Sequence, residues 1–146
     1  MTTRTPTPAT SATVPDPTAD GATVVDTFLH AVTSGTGIPV EIYAPGATLD
    51  ATVPGWRLSA EGGDAIAAQY RSWFADPAAF EELERSPLPD GEAVVYLLTW
   101  TEEGVPHAGH HCHLFRLDDD GRIASDTVFC GGRWSATLLA EMGAAS

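Results

Sequence analysis

The run Pro106-His-Ala-Gly-His-His-Cys-His-Leu-Phe-Arg-Leu117 is followed by Asp118-Asp-Asp-Gly121 and then by Arg122-Ile-Ala-Ser-Asp-Thr-Val-Phe-Cys-Gly131, and its reading decides the fold. Two strand-like segments flanking a short Asp/Gly loop predict a β-hairpin. Alternation places His111, His113 and Phe115 on one face of the first strand and His110 and Cys112 on the other. The second strand carries a single acidic residue, Asp126. If Asp118 to Gly121 form a four-residue loop, Leu117 faces Arg122 and His113 falls opposite Asp126. An imidazole beside a carboxylate on a buried sheet face is a candidate for acid/base chemistry.

Period-two patterning continues upstream of the hairpin. Strands are predicted near Ala79–Arg85, Ala93–Thr101, Pro106–Leu117 and Arg122–Gly131, separated by Pro89-Asp-Gly91, Glu103-Gly104 and Asp120-Gly121 turns. The first half reads differently. Asp20 can cap a helix whose apolar positions Val24, Val25, Phe28, Leu29 and Val32 keep a helical spacing up to Ser34-Gly35. A short helix is expected around Ile38 to Tyr43, then a strand from Ala47 to Val53 that turns at Pro54-Gly55 into Trp56-Arg57-Leu58. A third helix from about Asp64 to Phe74 carries Ile66, Tyr70, Trp73 and Phe74 on one face. Ser135 can cap a last short helix holding Leu138, Leu139 and Met142. Helices followed by hairpin-linked strands predict an α+β fold: a cone-shaped, curved antiparallel β-sheet packed against N-terminal helices, with an internal pocket.

At 146 residues the chain is expected to form one domain over residues 21–146. Residues 1–20 contain seven Thr, four Pro and three Ala with no apolar block, and read as a disordered tail. A formal net charge of −13 repels phosphate backbones and anionic lipid heads, so neither nucleic acid nor membrane is an expected partner. No run approaches the roughly 20 apolar residues of a membrane span, which predicts a soluble, cytoplasmic protein. Cys112 and Cys130 fall on opposite faces in the hairpin register, an arrangement that disfavours a disulfide and fits a reducing compartment.

The chain resembles the nuclear transport factor 2-like superfamily, which includes ketosteroid isomerases and SnoaL-like polyketide cyclases. The resemblance rests on the early helix, Ile42-Tyr-Ala-Pro-Gly-Ala-Thr-Leu-Asp50, the glycine-led Gly63-Asp-Ala-Ile66, and the closing hairpin Leu114 to Ile123, and covers roughly residues 20–134. It implies that His113 stands where ketosteroid isomerases hydrogen-bond a developing oxyanion and where SnoaL-like cyclases have a pocket histidine. Asp126 matches the carboxylate that those cyclases use as general base. Phe28 replaces the isomerase's first-helix tyrosine, so that phenolic donor is missing, and the isomerase's base falls near Ala51, one step from Asp50.

The candidate catalytic residues are therefore Asp126, His113 and Asp50. Asp126 would be costly to bury ionised without a partner, His113 can polarise a carbonyl oxygen or orient Asp126, and Asp50 can activate water. Phe28, Trp56, Tyr70, Trp73, Trp100, His111, Phe115 and Val128 are the expected substrate-binding residues, able to enclose a flat, ring-containing molecule. The implied function is cofactor-independent isomerisation, cyclisation or dehydration of a small apolar carbonyl-containing molecule of polyketide or steroid type. A second reading is a non-catalytic ligand-binding or dimerisation module, with a homodimer formed through a sheet face bearing Cys112, Leu114 and Ile123. A third is a metal-dependent enzyme using His111, His113 and Asp126, although no further metal signature accompanies them, and neither metal nor cofactor is expected. The Asp118–Asp120 run lacks the spaced ligands of a calcium loop, and no phosphate-cradling glycine loop or nucleophile elbow is present.

Overall fold

Asp118 closes the decisive hairpin with its own side chain. Its Oδ1 accepts from the backbone N–H groups of Asp120 and Arg122, each at 3.0 Å, and its N–H donates to the Arg122 carbonyl. The loop therefore holds five residues rather than four, and Leu117 pairs with Ile123. A bulge between Arg116 and Leu117 adds a further offset, so Phe115 lies opposite Asp126 and His113 opposite Val128. The register differs by two residues from the sequence expectation. An even offset leaves His111, His113 and Asp126 on their expected face, and His113 reaches Asp126 diagonally.

The computed structural model describes Val14 and residues 21–145. The expected tail lies outside the described residues except for Val14, which packs against the core. Helix α1 (Val24–Ser34) is followed by a 3-10 turn (Val40–Ile42) and strands β1 (Tyr43–Val53) and β2 (Trp56–Glu61). Helix α2 (Gly63–Trp73) leads to β3 (Ala78–Leu88), β4 (Gly91–Glu102), β5 (Val105–Leu117), β6 (Ile123–Ser135) and α3 (Ala136–Ala145). One six-stranded sheet has the order β2-β1-β6-β5-β4-β3. Neighbours run antiparallel except β1 and β6, which are parallel, so the curved, unclosed sheet is mixed. This is the α+β cone expected from the sequence.

Local chemistry accounts for the element ends. Thr23, rather than Asp20, caps α1: its hydroxyl accepts from the Asp26 N–H while the Asp26 carboxylate accepts from the Thr23 N–H at 2.7 Å. Gly35 ends the helix at φ 67°, where a Cβ would come within 2.6 Å of the Asp76 backbone. Glu103 and Gly104, both at positive φ, make the two-residue turn between β4 and β5. Ser135 accepts from the Leu138 N–H at the start of α3.

The apolar faces of α1 and α2 close over the concave side of the sheet. Phe28, Leu29, Ile66, Tyr70, Tyr96 and Phe115 are among its fully buried side chains, and an apolar side chain of this size contributes roughly 1.5–3 kcal/mol on burial. Arg85 on β3 fastens α1 to the sheet, bonding Asp26 at 2.6 Å and Glu92 on β4. Ile123, expected on the outer face, is fully buried, because the irregularity beside Leu117 turns it inward. No described helix is long and apolar enough to cross a membrane.

Candidate active site

The inward residues of β4, β5 and β6 form a line of hydrogen bonds through the core. The Tyr70 hydroxyl on α2 donates to Asp126 Oδ2. Asp126 Oδ1 lies 3.0 Å from His113 Nδ1, and His113 Nε2 lies 2.9 Å from the Tyr96 hydroxyl. That hydroxyl is also 3.1 Å from His111 Nδ1, and His111 Nε2 is 3.1 Å from Cys130 Sγ. Pairing places these groups in reach: Tyr96 is opposite His111, and His111 is opposite Cys130.

One assignment of protons satisfies every contact. Burial, reinforced by the Asp126 charge, pushes the Tyr70 and Tyr96 phenols well above their ordinary range, so both keep their protons. Burial also lowers His111 to about 3, helped by His113, His110 and Arg133, so its imidazole is neutral. With Tyr70 O–H and His113 Nδ1–H donating to Asp126, Tyr96 O–H donates to His113 Nε2, His111 Nδ1–H donates to the Tyr96 oxygen, and the Cys130 thiol donates to His111 Nε2. Burial raises the Cys130 thiol against smaller opposing effects of Gly132 and Arg133, which keeps that proton in place. All donors point towards one carboxylate. The tyrosine at position 43 adds a third phenol near Asp126; its hydroxyl is the one buried side-chain polar atom without a hydrogen-bond partner among the described residues.

The narrow end of the cone is packed solid. The side chains of His113 and Asp126 are 0 % exposed. The His113 ring is stacked on Phe115 and Tyr96 and meets the edge of Phe28, with centroids 5.0–5.5 Å apart. The open end instead holds a cavity of about 300 Å³, at the small end of the range for ligand pockets. Its wall includes Trp73, Phe74, Leu98 and Trp100, with His111, Cys130 and Arg133 as its ionisable groups.

These positions sort the expected residues. His111, Trp73 and Trp100 face the cavity, whereas Phe28, Tyr70, Phe115 and Val128 are buried behind it. Direct substrate contact by His113 or Asp126 is not what the geometry offers, since aromatic side chains fill the space around them. Asp50 is not brought to the site: it lies on the outer face of β1 in an exposed pair with Arg57 at 2.6 Å. Trp56, in the short outer strand β2, is 70 % exposed and lines no part of this cavity. Among the described residues no three His, Cys, Asp or Glu side chains are disposed to hold a metal ion. Sequence reasoning missed Tyr96 as the bridge and Cys130 and Arg133 as cavity groups. The Glu103-Gly104 turn contained the signal for the first, because a two-residue loop sets Tyr96 opposite His111.

No family model matches the sequence, and no curated protein matches it. Solved structures do resemble the fold. The epoxide hydrolase/cyclase-like enzyme SalBIII, of pyran ring formation in the polyether salinomycin, is 20% identical with a TM-score of 0.56, covering 74% of this chain and 88% of its own. A steroid delta-isomerase from Pseudomonas aeruginosa is 16% identical with a TM-score of 0.52, covering 83% and 84%. A nuclear transport factor 2-like protein of unknown function from Cytophaga hutchinsonii is 10% identical with a TM-score of 0.51, covering 73% and 96%. The chain has the nuclear transport factor 2-like fold.

Proposed function

We propose that this protein is a cofactor-independent enzyme that moves a proton on a small, apolar, carbonyl-containing molecule held in the cavity. The carrying observation is the unbroken chain of hydrogen bonds from the cavity wall at His111 to the buried carboxylate of Asp126. His111 is the group placed to meet substrate; Tyr96, His113 and Asp126 act through it.

A substrate that displaces the Cys130 thiol from His111 Nε2 presents an acidic C–H to that nitrogen. As Nε2 takes the proton, the C–H electron pair stays on the substrate as an enolate, and Nδ1 releases its own proton to the Tyr96 oxygen. Tyr96 passes a proton to His113 Nε2, and His113 Nδ1 passes one to Asp126. This relay answers an energetic difficulty. The burial that lowers His111 to about 3 makes a lasting imidazolium costly, whereas onward transfer leaves every imidazole neutral and discharges the buried carboxylate. Reversal delivers the proton to another carbon, giving isomerisation; to a departing hydroxyl, which leaves as water and gives dehydration; or, once the enolate carbon has added to a second carbonyl of the same molecule, to the resulting alkoxide, giving cyclisation. The fold's occurrence in SalBIII and in a steroid isomerase supports this class of chemistry.

The test is solvent exchange. Two-ring ketones such as 2-tetralone, incubated in D2O with the protein, should lose their α-protons by NMR faster than in buffer, and His111→Phe should remove the acceleration. Bound ketones that exchange no faster than in buffer would reject the proposal. The complete burial of His113 and Asp126 favours a second reading, a ligand-binding module with a polar core, and that same negative result would establish it.

A further inference from the structure

Arg133 is the cation on the cavity wall, and its surroundings hold it ready for an anion. Its guanidinium carbon sits over the Trp100 ring, 5.2 Å from the centroid, which packs the group against the indole. Both oxygens of Glu102 are taken by one nitrogen, Nη2, at 2.8 and 3.0 Å. Among the described residues Nε and Nη1 have no hydrogen-bond partner; they face different edges of the group, so Nη1 alone can still meet a further acceptor at its end. The charge acts inward as well. Arg133 is among the groups that hold down His111 and Cys130 on the same wall. Its side chain is 47% exposed, which puts the cation at the mouth, with His111 deeper.

We infer that the molecule bound in this cavity carries a carboxylate, anchored at Arg133 through its Nη1, with its ring system lying inward against Trp100 and Phe74 and its reacting carbon at His111. This rests on reading the cavity as a substrate site. A chain with net charge −13 repels anions at long range, so an anionic ligand needs a local cation of this kind. A guanidinium suits the task, because it keeps its charge at any working pH and its N–H groups make charge-assisted hydrogen bonds to carboxylate oxygens. Half-exposure also matches a permanent charge, which keeps part of its hydration at the mouth while the ring is desolvated. The size of the cavity, about 300 Å³, suits one or two rings rather than four.

The experiment compares two ligands of one shape, 2-naphthoate and 2-naphthamide, by quenching of tryptophan fluorescence on the full chain at low and high salt. The naphthoate should bind about 10-fold more tightly at low salt, with the advantage shrinking at high salt. Arg133→Gln should abolish the preference, leaving naphthoate and naphthamide with equal affinities. Glu102→Gln, which frees Nη2, should sharpen the preference. Equal affinities in the wild type, or a preference that survives Arg133→Gln, would overturn the anchor while leaving 2-tetralone exchange intact. Failure of both naphthalenes to bind would overturn the anchor and, unlike equal affinities, the cavity reading with it.

Discussion

The Tyr96 hydroxyl lies 2.9 Å from His113 Nε2, and this contact joins the buried half of the hydrogen-bond chain to the half that reaches the cavity. Neither histidine bonds the other; both bond the phenol. Tyr96→Phe removes the oxygen and keeps the ring that packs on both imidazoles. Proton exchange on a bound ketone is expected to fall by about 10²-fold or more, while ketone affinity stays within roughly two-fold because Tyr96 does not line the cavity. Single-turnover exchange with a parallel binding titration checks both halves. Unchanged exchange in a folded Tyr96→Phe protein would show that the relay is not used.

Two phenols near one carboxylate should respond oppositely to loss of their hydroxyls. The Tyr70 hydroxyl donates to Asp126, so Tyr70→Phe leaves a buried carboxylate oxygen short of a donor and should cost about 1.5–3 kcal/mol. The Tyr43 hydroxyl is buried without a partner, so Tyr43→Phe relieves a desolvated group and should be neutral or stabilising by up to about 1 kcal/mol. Urea unfolding of both variants measures the contrast. Equal losses would mean that Tyr43 also holds Asp126.

Much of this site follows from alternation alone. Period two put His111, His113 and Asp126 on one face, and a register shift of two residues cannot change a face. That is why the His113 to Asp126 contact forms even though Val128, not Asp126, is the direct partner of His113. Half of the shift came from Asp118, whose carboxylate makes backbone bonds that enlarge the loop, and half from the bulge between Arg116 and Leu117, choices of turn and strand geometry that composition does not settle. The cavity was harder to read, because its position depends on which aromatic rings fill the cone. Phe28, Tyr70 and Phe115 close the narrow end, and the space that remains lies beside Trp73, Trp100 and His111. Asp50 was a candidate because the isomerase's base falls one step away, near Ala51, a resemblance that leaves its facing open; in the strand it alternates with Leu49 and Ala51, both of which are buried.

His111 also predicts a pH dependence of stability. Its folded value of about 3 is below the ordinary 6.5, so between those pH values the unfolded chain holds a proton that the folded chain does not. Stability from this group is complete above pH 6.5 and falls as the pH drops towards 3, by about 1.4 kcal/mol per unit at most. Urea midpoints at pH 7, 6, 5 and 4 should decline less steeply in His111→Gln than in wild type. Parallel declines would mean that His111 is protonated in the folded protein.

Asp26 acts in a lower window with the opposite chemistry. Burial raises its pKa, but the Thr23 backbone N–H and the Arg85 guanidinium outweigh that and leave the carboxyl below 3.8. The unfolded chain therefore takes up a proton first, and stability from Asp26 is present above about pH 4 and lost as the pH falls through the folded value. Asp26→Ala removes both the reciprocal cap of α1 and the 2.6 Å bond that ties the helix to β3, at a cost of roughly 2–3 kcal/mol. Because α1 carries Phe28 against His113, the loosened helix should also admit solvent to the buried pair. Amide exchange in β5 near His113 should therefore rise in Asp26→Ala. An Asp26→Ala protein with wild-type stability and unchanged protection at His113 would show that α1 is held by its apolar face alone.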